Sequence, residues 1–245
     1  MNTTAIERAF HAKAVKLAGL SFIYIQSMFL LHKGLRLDRL VSDRFFDFTC
    51  GGTNMRACWM LDKSDKSLTF LLHDLPVDIF TAIAVIFVFI FIASFRYPQV
   101  MKYRQISLLV VFGLIVVPGI VTMLKATTGH FCPAQLAAYG GAVGLQEPVP
   151  FRPRCYPAGF PSAGFSLLVL YFGAVPKFWR HFGLYAGLGI GGISSMIQIA
   201  RGEHYLSHCL ATLITALFVG MIVHFFQEHK AKPHQCDCSR LKTIR

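Results

Sequence analysis

Six apolar runs dominate the sequence and limit what the chain can fold into. A helix needs about 20 apolar residues to cross the hydrocarbon core of a bilayer, and most of these runs have 18 to 22. The runs are residues 14–31, 77–95, 105–124, 162–176, 182–200 and 205–226. With 54% hydrophobic and 15% charged residues, the chain is too apolar for an ordinary soluble domain. We predict one all-α, polytopic integral membrane domain over residues 1–245, a six-helix transmembrane bundle.

Two of the predicted spans carry features that bear on packing. The fourth run is short and ends at Pro176 and Lys177. The fifth run has glycines at every fourth position, Gly183, Gly187 and Gly191. A face of small residues lets another helix approach closely, so we predict that this face packs against a neighbouring helix.

The basic residues predict which side of the membrane each loop occupies. The two short connectors, 96–104 and 177–181, carry five cations and no acid, and cytoplasmic loops are rich in Lys and Arg. Both termini, including a predicted tail over 227–245, are therefore placed in the cytoplasm. In a bacterium, the opposite face of this inner membrane is the periplasmic face. The predicted outer segments are 32–76, 125–161 and 201–204.

The net charge of +12 also bears on partners. No basic run with interleaved aromatic residues indicates nucleic acid, so the expected partner is the bilayer. A homo-oligomer or partner membrane subunits are compatible with the sequence.

Four of the seven cysteines lie in pairs within the predicted outer loops. Cys50 and Cys58 share the first loop, and Cys132 and Cys155 share the second. Since disulfides form outside the reducing cytoplasm, we predict two disulfide bonds, with four free thiols as the alternative.

The tail contains a loose metal-ligand pattern, Cys236-Asp-Cys238 near His229 and His234. The spacing is poor for zinc. We expect a solvated tail, and neither a metal nor a cofactor.

The segment Arg201-Gly-Glu-His-Tyr-Leu-Ser-His208 concentrates polar groups at the mouth of a membrane helix. Ionisable residues are costly there and indicate function. His204 and His208 are four residues apart and share one face of a helix. We predict that His204 attacks phosphorus as a nucleophile and that His208 orients its ring. The alternatives are a structural histidine pair and a metal site completed by His130.

Other outer residues supply what a phosphate group needs. Lys125 ends the third run, Arg201 opens the histidine motif, and Gly159 exposes its backbone N–H. Cations and peptide N–H groups stabilise a transferring phosphoryl group. As alternatives, Lys125 is an interfacial anchor and Arg201 marks the membrane edge. His73 and Asp74 precede the second run and are predicted to cap its helix.

Three segments in this order resemble the motifs of the type-2 phosphatidic-acid phosphatase family. The segments are Lys125-x6-Cys132-Pro133, Pro157-Ala-Gly-Phe160 and Gln198-x5-His204-x3-His208. The family's motifs read K-x6-R-P, P-S-G-H and S-R-x5-H-x3-D in six-span lipid-phosphate phosphatases. The resemblance covers about residues 105–226. The sequence around the motifs is similar to that of a bacterial branch of the family that contains lipid A phosphatase-like proteins.

The resemblance implies roles for individual residues. Lys125 would bind phosphate, Gly159 would offer its N–H, and His204 would be the nucleophile. The family's proton-donating histidine is replaced by Phe160, for which His130 is the candidate substitute. The remaining departures are Cys132 for arginine, Ala158 for serine, Gln198 for arginine and His208 for aspartate; Arg201 would restore one of the lost cations.

Two functions are therefore expected. The first is a metal-independent membrane phosphatase that hydrolyses a lipid phosphomonoester or diphosphate through a phosphohistidine at the periplasmic face. The second is a catalytically inactive relative that acts as a lipid-binding or complex-associated membrane subunit. The missing proton donor separates them, since general acid catalysis is typically worth about 10²–10⁴-fold.

Overall fold

The computed structural model describes residues 20–21, 23–24, 36–50, 55–143 and 154–230, and its regular elements are all helices. This confirms the all-α class. Apolar segments that must satisfy their own backbone hydrogen bonds in lipid do so as helices.

Four of the described α-helices are long and four are short. A π-helical segment, Phe70–Asp74, joins α2 to α3 without a break. The α-helices are α1 (Leu37–Asp43), α2 (Lys66–Thr69), α3 (Leu75–Ala93), α4 (Arg104–Thr128), α5 (Pro161–Ser166), α6 (Leu168–Phe172), α7 (Lys177–Ala200) and α8 (Leu206–Lys230). Single 3₁₀ turns occupy Met55–Cys58, Met101–Tyr103, Pro133–Gln135 and Ala137–Tyr139.

In the described part of the chain, four helical segments are long and apolar enough to cross a membrane, at four of the six predicted positions. They are Lys66–Ala93, Met101–Gln135, Lys177–Ala200 and Leu206–Gln227. The first predicted span, 14–31, lies almost entirely outside the described residues, and its four described residues are helical.

The fourth predicted span, 162–176, is not a helix of membrane-crossing length. It forms α5 and α6, and the 12 residues of Pro161–Phe172 correspond to only about 18 Å of helix. Leu168, Val169 and Leu170 are fully buried. The segment is apolar because it forms the centre of the bundle, where α4, α7 and α8 surround it.

The glycine face of α7 packs against α5 and α6, as predicted. All three glycines, Gly183, Gly187 and Gly191, are buried. A Cβ at Gly191 would lie 2.2 Å from the ring of Phe165, and one at Gly183 would lie 2.5 Å from Cβ of Leu170. The absence of side chains therefore sets how closely α7 approaches the central segment.

The last helix continues to Lys230, beyond residue 227, where the tail was predicted to begin. The predicted tail cysteines, Cys236 and Cys238, and the nearby His234 lie outside the described residues.

The loops that contain the predicted site residues meet at one end of the bundle. The backbone N–H of Ala134 donates to the carbonyl of Gly202 over 2.9 Å, and that of Cys155 donates to His130 over 2.9 Å. The connector Arg104 lies at the other end, where its Nε donates to the Ser94 hydroxyl over 3.0 Å. The site is therefore built where three loops converge.

Candidate functional site

Both predicted disulfides form, and the second one contacts the histidine motif. Cys50 is bonded to Cys58, and Cys132 is bonded to Cys155. Sγ of Cys155 lies 3.4 Å from Nδ1 of His204, and the backbone of Cys155 accepts a hydrogen bond from the same ring. The cross-link therefore holds the loop that contains Cys132 and Cys155 against the turn before α8.

The turn between α7 and α8 is shaped by Gly202 and covered by Trp59. Gly202 has a φ of 68°, in the left-handed region that favours glycine. A Cβ there would lie 2.3 Å from the Trp59 ring. Trp59 in turn contacts the rings of Phe46 and Tyr139 at centroid distances of 5.1 and 5.2 Å. The loop that contains Trp59 thus packs on the turn that carries His204.

Two predicted phosphate-binding residues from separate segments are in contact. Lys125 is in the last turn of α4, and Gly159 precedes α5. A Cβ built on Gly159 would lie 2.9 Å from Nζ of Lys125. The tip of the lysine side chain therefore occupies the space that a side chain at position 159 would take.

The environment of His204 keeps its ring uncharged. The residue is buried in the turn before α8. Burial lowers the pKa of His204 well below its usual range, and the charge of Lys125 and the ring of His208 lower it further. Because Nδ1 is the nitrogen that faces Cys155, we assign the ring proton to Nδ1. Nε2 then keeps its lone pair.

His208 lies deeper, within a cluster of rings. Its side chain is buried, and its ring is 5.9 Å from that of His204 and 6.2 Å from that of His130, both in edge-on contacts. Tyr156 and Tyr205 pack against it at 5.2 Å. The structure therefore brings the three predicted histidines into one cluster, with His208 in the middle.

Arg201 lines a small pocket beside the turn. Its Nη2 donates to the Thr69 hydroxyl over 2.8 Å, while Nε and Nη1 have no hydrogen-bond partner among the described residues. The pocket has a volume of about 80 Å³. Lys63 and Glu203 form an ion pair of 2.7 Å in its wall. The other lining residues are Trp59, Cys132, Ala134 and Gln135.

A larger cavity of about 320 Å³ lies between the helices. We call it the lateral cavity. Gly159 belongs to its wall, so the cavity reaches the backbone against which Lys125 packs. The other lining residues are His73, Val77, Phe80, Pro118, Thr122, Phe160, Ser162, Ala163 and Ser194. Its wall is mostly apolar, whereas the polar groups come from the loop end.

The predicted cap at His73 and Asp74 is wrong. The Asp74 side chain makes no capping hydrogen bond, because helix already precedes α3 and its backbone N–H groups have helical partners. Instead, Asp74 Oδ1 lies 2.8 Å from Nδ1 of His73. The His73 ring stacks on Phe160 with centroids 4.9 Å apart and planes inclined by 19°.

We compared the chain with protein-family models, curated proteins and solved structures. None of the three comparisons gives a match. What supports a function is therefore the arrangement of these side chains, together with the spacing of the motifs.

One group of potential metal ligands stands out in the described part of the chain: Cys132, Cys155 and His204, with ligand atoms within 4.8 Å of one another. The two cysteines are joined as a disulfide, and a disulfide sulfur is not the thiolate that binds metals. His130 and His208 do not belong to this group.

Sequence reasoning missed Asp38, a buried carboxylate on α1. Its Oδ1 accepts from the backbone N–H of Ser207 over 2.8 Å, and its Oδ2 accepts from the Ser207 hydroxyl. Asp38 therefore caps the start of α8 from a distant segment and fixes the helix that carries His208. No spacing pattern links residues 169 positions apart, so the sequence carried no signal for this contact.

Proposed function

We propose that this protein is a membrane lipid-phosphate phosphatase that works through a phosphohistidine at His204. One observation carries the proposal: the Lys125 amine packs against Gly159, and its charge acts on the buried, neutral ring of His204. A cation, an exposed backbone and an uncharged imidazole are what an in-line phosphoryl transfer needs.

The reaction has two steps. In the first, Nε2 of His204 forms a bond to phosphorus while the bond from phosphorus to the lipid oxygen breaks, and that oxygen takes up a proton. In the second, water attacks the phosphohistidine, the P–N bond breaks, and phosphate leaves. Lys125 and the Gly159 N–H stabilise the equatorial oxygens in both steps. The Cys155 carbonyl holds the proton on Nδ1, which leaves Nε2 directed to the substrate.

The lateral cavity favours a lipid as the substrate. The apolar part of its wall includes Val77, Phe80 and Pro118, and Gly159 connects that wall to the Lys125 amine. A substrate with a phosphate at one end and hydrocarbon at the other matches this polarity. A phosphatidate, an isoprenoid diphosphate or lipid A each has that form.

The same arrangement favours the outer face of a bacterial inner membrane. The two disulfides lie at the loop end and suit an oxidising compartment. The cationic connectors lie at the opposite end and suit the cytoplasm. Both termini are then cytoplasmic, and the site faces the periplasm.

The test is release of inorganic phosphate from lipid phosphates by the detergent-purified protein in the presence of a chelator. We expect His204→Ala to abolish release and His181→Ala to leave it unchanged, since His181 is an exposed residue at the other end of α7. Quenched wild-type reactions should contain alkali-stable, acid-labile protein-bound phosphate. Full activity of His204→Ala would eliminate the mechanism.

A second candidate is a lipid-binding or complex-associated subunit without turnover. Phe160 favours it, because a phenyl ring next to Gly159 has no proton to give to a leaving oxygen. Lipid-phosphate binding with no phosphate release from any lipid phosphate would support this candidate over the first.

A further inference from the structure

A phosphatase acting on a lipid alcohol must supply a proton to the oxygen that leaves. An alkoxide is a poor leaving group, and a positioned acid typically accelerates such a step about 10²–10⁴-fold. Phe160, which follows Gly159 in the wall of the lateral cavity, presents only carbon and hydrogen. The proton must then come from a neighbouring side chain.

We propose that His73 is this proton donor and a catalytic residue of the lateral cavity. The inference rests on the proposed phosphatase function and adds to it the residue that completes the reaction. It identifies the substrate's leaving group as an unactivated alcohol, or the phosphate of a diphosphate, either of which gains from protonation.

The position of the ring is the first observation. The His73 and Phe160 rings are stacked, with centroids 4.9 Å apart and planes inclined by 19°, so the imidazole lies against the ring that follows Gly159. His73 and Gly159 line the same cavity, and Gly159 lies against the Lys125 amine. The imidazole thus borders the same cavity as the backbone where the phosphate would be held.

The second observation is that the His73 ring has a carboxylate partner. Asp74 Oδ1 lies 2.8 Å from Nδ1 of His73, which fixes Nδ1 as the nitrogen that donates to the carboxylate. In the protonated ring, Nε2 carries the remaining transferable proton. Both side chains are about half exposed, 44% and 54%, so water can return the proton after each turnover.

The backbone is the third observation. His73 lies in the π-helical segment Phe70–Asp74, between two α-helical segments of one continuous helix. Such segments interrupt the regular helical hydrogen bonds and are frequent at functional sites. Here the segment ends at the His73–Asp74 pair, next to the cavity.

His130, the donor predicted from the sequence, has different surroundings. It packs against Tyr156 and His208, at 5.3 and 6.2 Å between centroids, and it is not among the residues that line the lateral cavity.

His73 and His204 account for every proton and electron pair in the two steps. As the N–P bond to His204 forms and the P–O bond breaks, the electron pair of the broken bond takes the Nε2 proton of His73. Neutral His73 then accepts a proton from the water that attacks the phosphohistidine. The electron pair of the P–N bond returns to His204, and His73 is protonated again.

The test compares two leaving groups. His73→Phe keeps an aromatic ring on Phe160 but has no proton to transfer; His73→Asn is a second variant of smaller size. We expect His73→Phe to lower kcat about 10²–10⁴-fold on phosphatidate, and less than about 10-fold on 4-nitrophenyl phosphate, whose leaving group needs no proton. Adding Phe160→His should recover most of the phosphatidate rate.

The other possible results contradict the role of His73. An equal loss on both substrates, or no loss, would overturn the role of His73. So would a leaving-group-dependent loss in His130→Asn but not in His73→Phe. Hydrolysis of 4-nitrophenyl phosphate that depends on His204 reports on the proposed function separately. If wild-type protein hydrolyses neither substrate, the function and the role of His73 both fall.

Discussion

The two cavities at the loop end of the bundle differ in size, wall and construction. The pocket of Arg201 has a volume of about 80 Å³, and its wall comes largely from loops. The lateral cavity has about 320 Å³ and an apolar wall made largely by helices. The small pocket has room for an anionic group but not for a lipid chain. The comparison therefore shows that loops place the Arg201 guanidinium beside a small pocket, whereas helices build an apolar cavity that reaches the Lys125 amine at Gly159.

The largest effect is expected where the cavity meets the cation. Lys125→Met should lower kcat for phosphate release about 10²–10³-fold, since removal of one preorganised charge-stabilising group typically costs this much. Gly159→Ala should lower kcat in the same direction, because its Cβ would press on the amine. The control is Gly119→Ala, which is on the same helix as Lys125 and has no atom within 4 Å of the new Cβ. Unchanged kcat in Lys125→Met would remove the cavity from the mechanism.

A smaller effect is expected in the polar pocket. Arg201→Gln should lower kcat/KM about 10-fold, because hydrogen bonds to charged groups contribute about 1.5–3 kcal/mol and Nε and Nη1 of Arg201 have no hydrogen-bond partner in the described part of the chain. Arg180→Gln, at the opposite end of the bundle, is the matched control. A change in melting temperature without a change in kcat/KM would make the pocket purely structural.

A third prediction concerns Gly202, on which the pocket residue Trp59 packs. Gly202→Ala should lower the free energy of unfolding by about 2 kcal/mol, since the left-handed conformation costs a side chain about 1–2 kcal/mol and Trp59 lies in the way. Denaturant unfolding in detergent measures this, with Gly192→Ala as the control because space around that position is open. Equal stability of the two variants would show that Trp59 does not clamp the turn.

The smallest effect is a dependence on pH from His204. Its pKa is lowered in the fold, chiefly by burial and then by Lys125, whereas the unfolded value is about 6.5. The stability contribution is therefore fully present above about pH 6.5 and is lost as the pH falls below it. The difference between the melting temperatures of wild type and His204→Ala, measured from pH 5 to 8, should be constant at high pH and should change only in the acid range, where the wild type loses stability. A difference that changes with pH above 7 would contradict a neutral buried ring.

Local pattern was enough to predict several features. The glycine face of α7 follows from a spacing of four, and the disulfides follow from cysteine pairs that share a loop. The fourth run forms only the 12-residue helical segment Pro161–Phe172, and its length could not be predicted because an apolar run has the same composition whether it faces lipid or fills a protein core. The His73–Asp74 cap was wrong because the helix begins earlier, at Lys66, where the sequence is polar.

The sequence by itself determined the helical class, the membrane-length helices and the chemical types available for a site. Only the tertiary structure decided which of those groups meet: Lys125 with Gly159, His204 with Cys155, and His73 with Phe160. The physical reason is the distance along the chain between the residues that interact. Helix formation and cysteine pairing within a loop depend on neighbours along the chain. The surroundings of an imidazole depend on packing between segments that the sequence separates by tens of residues.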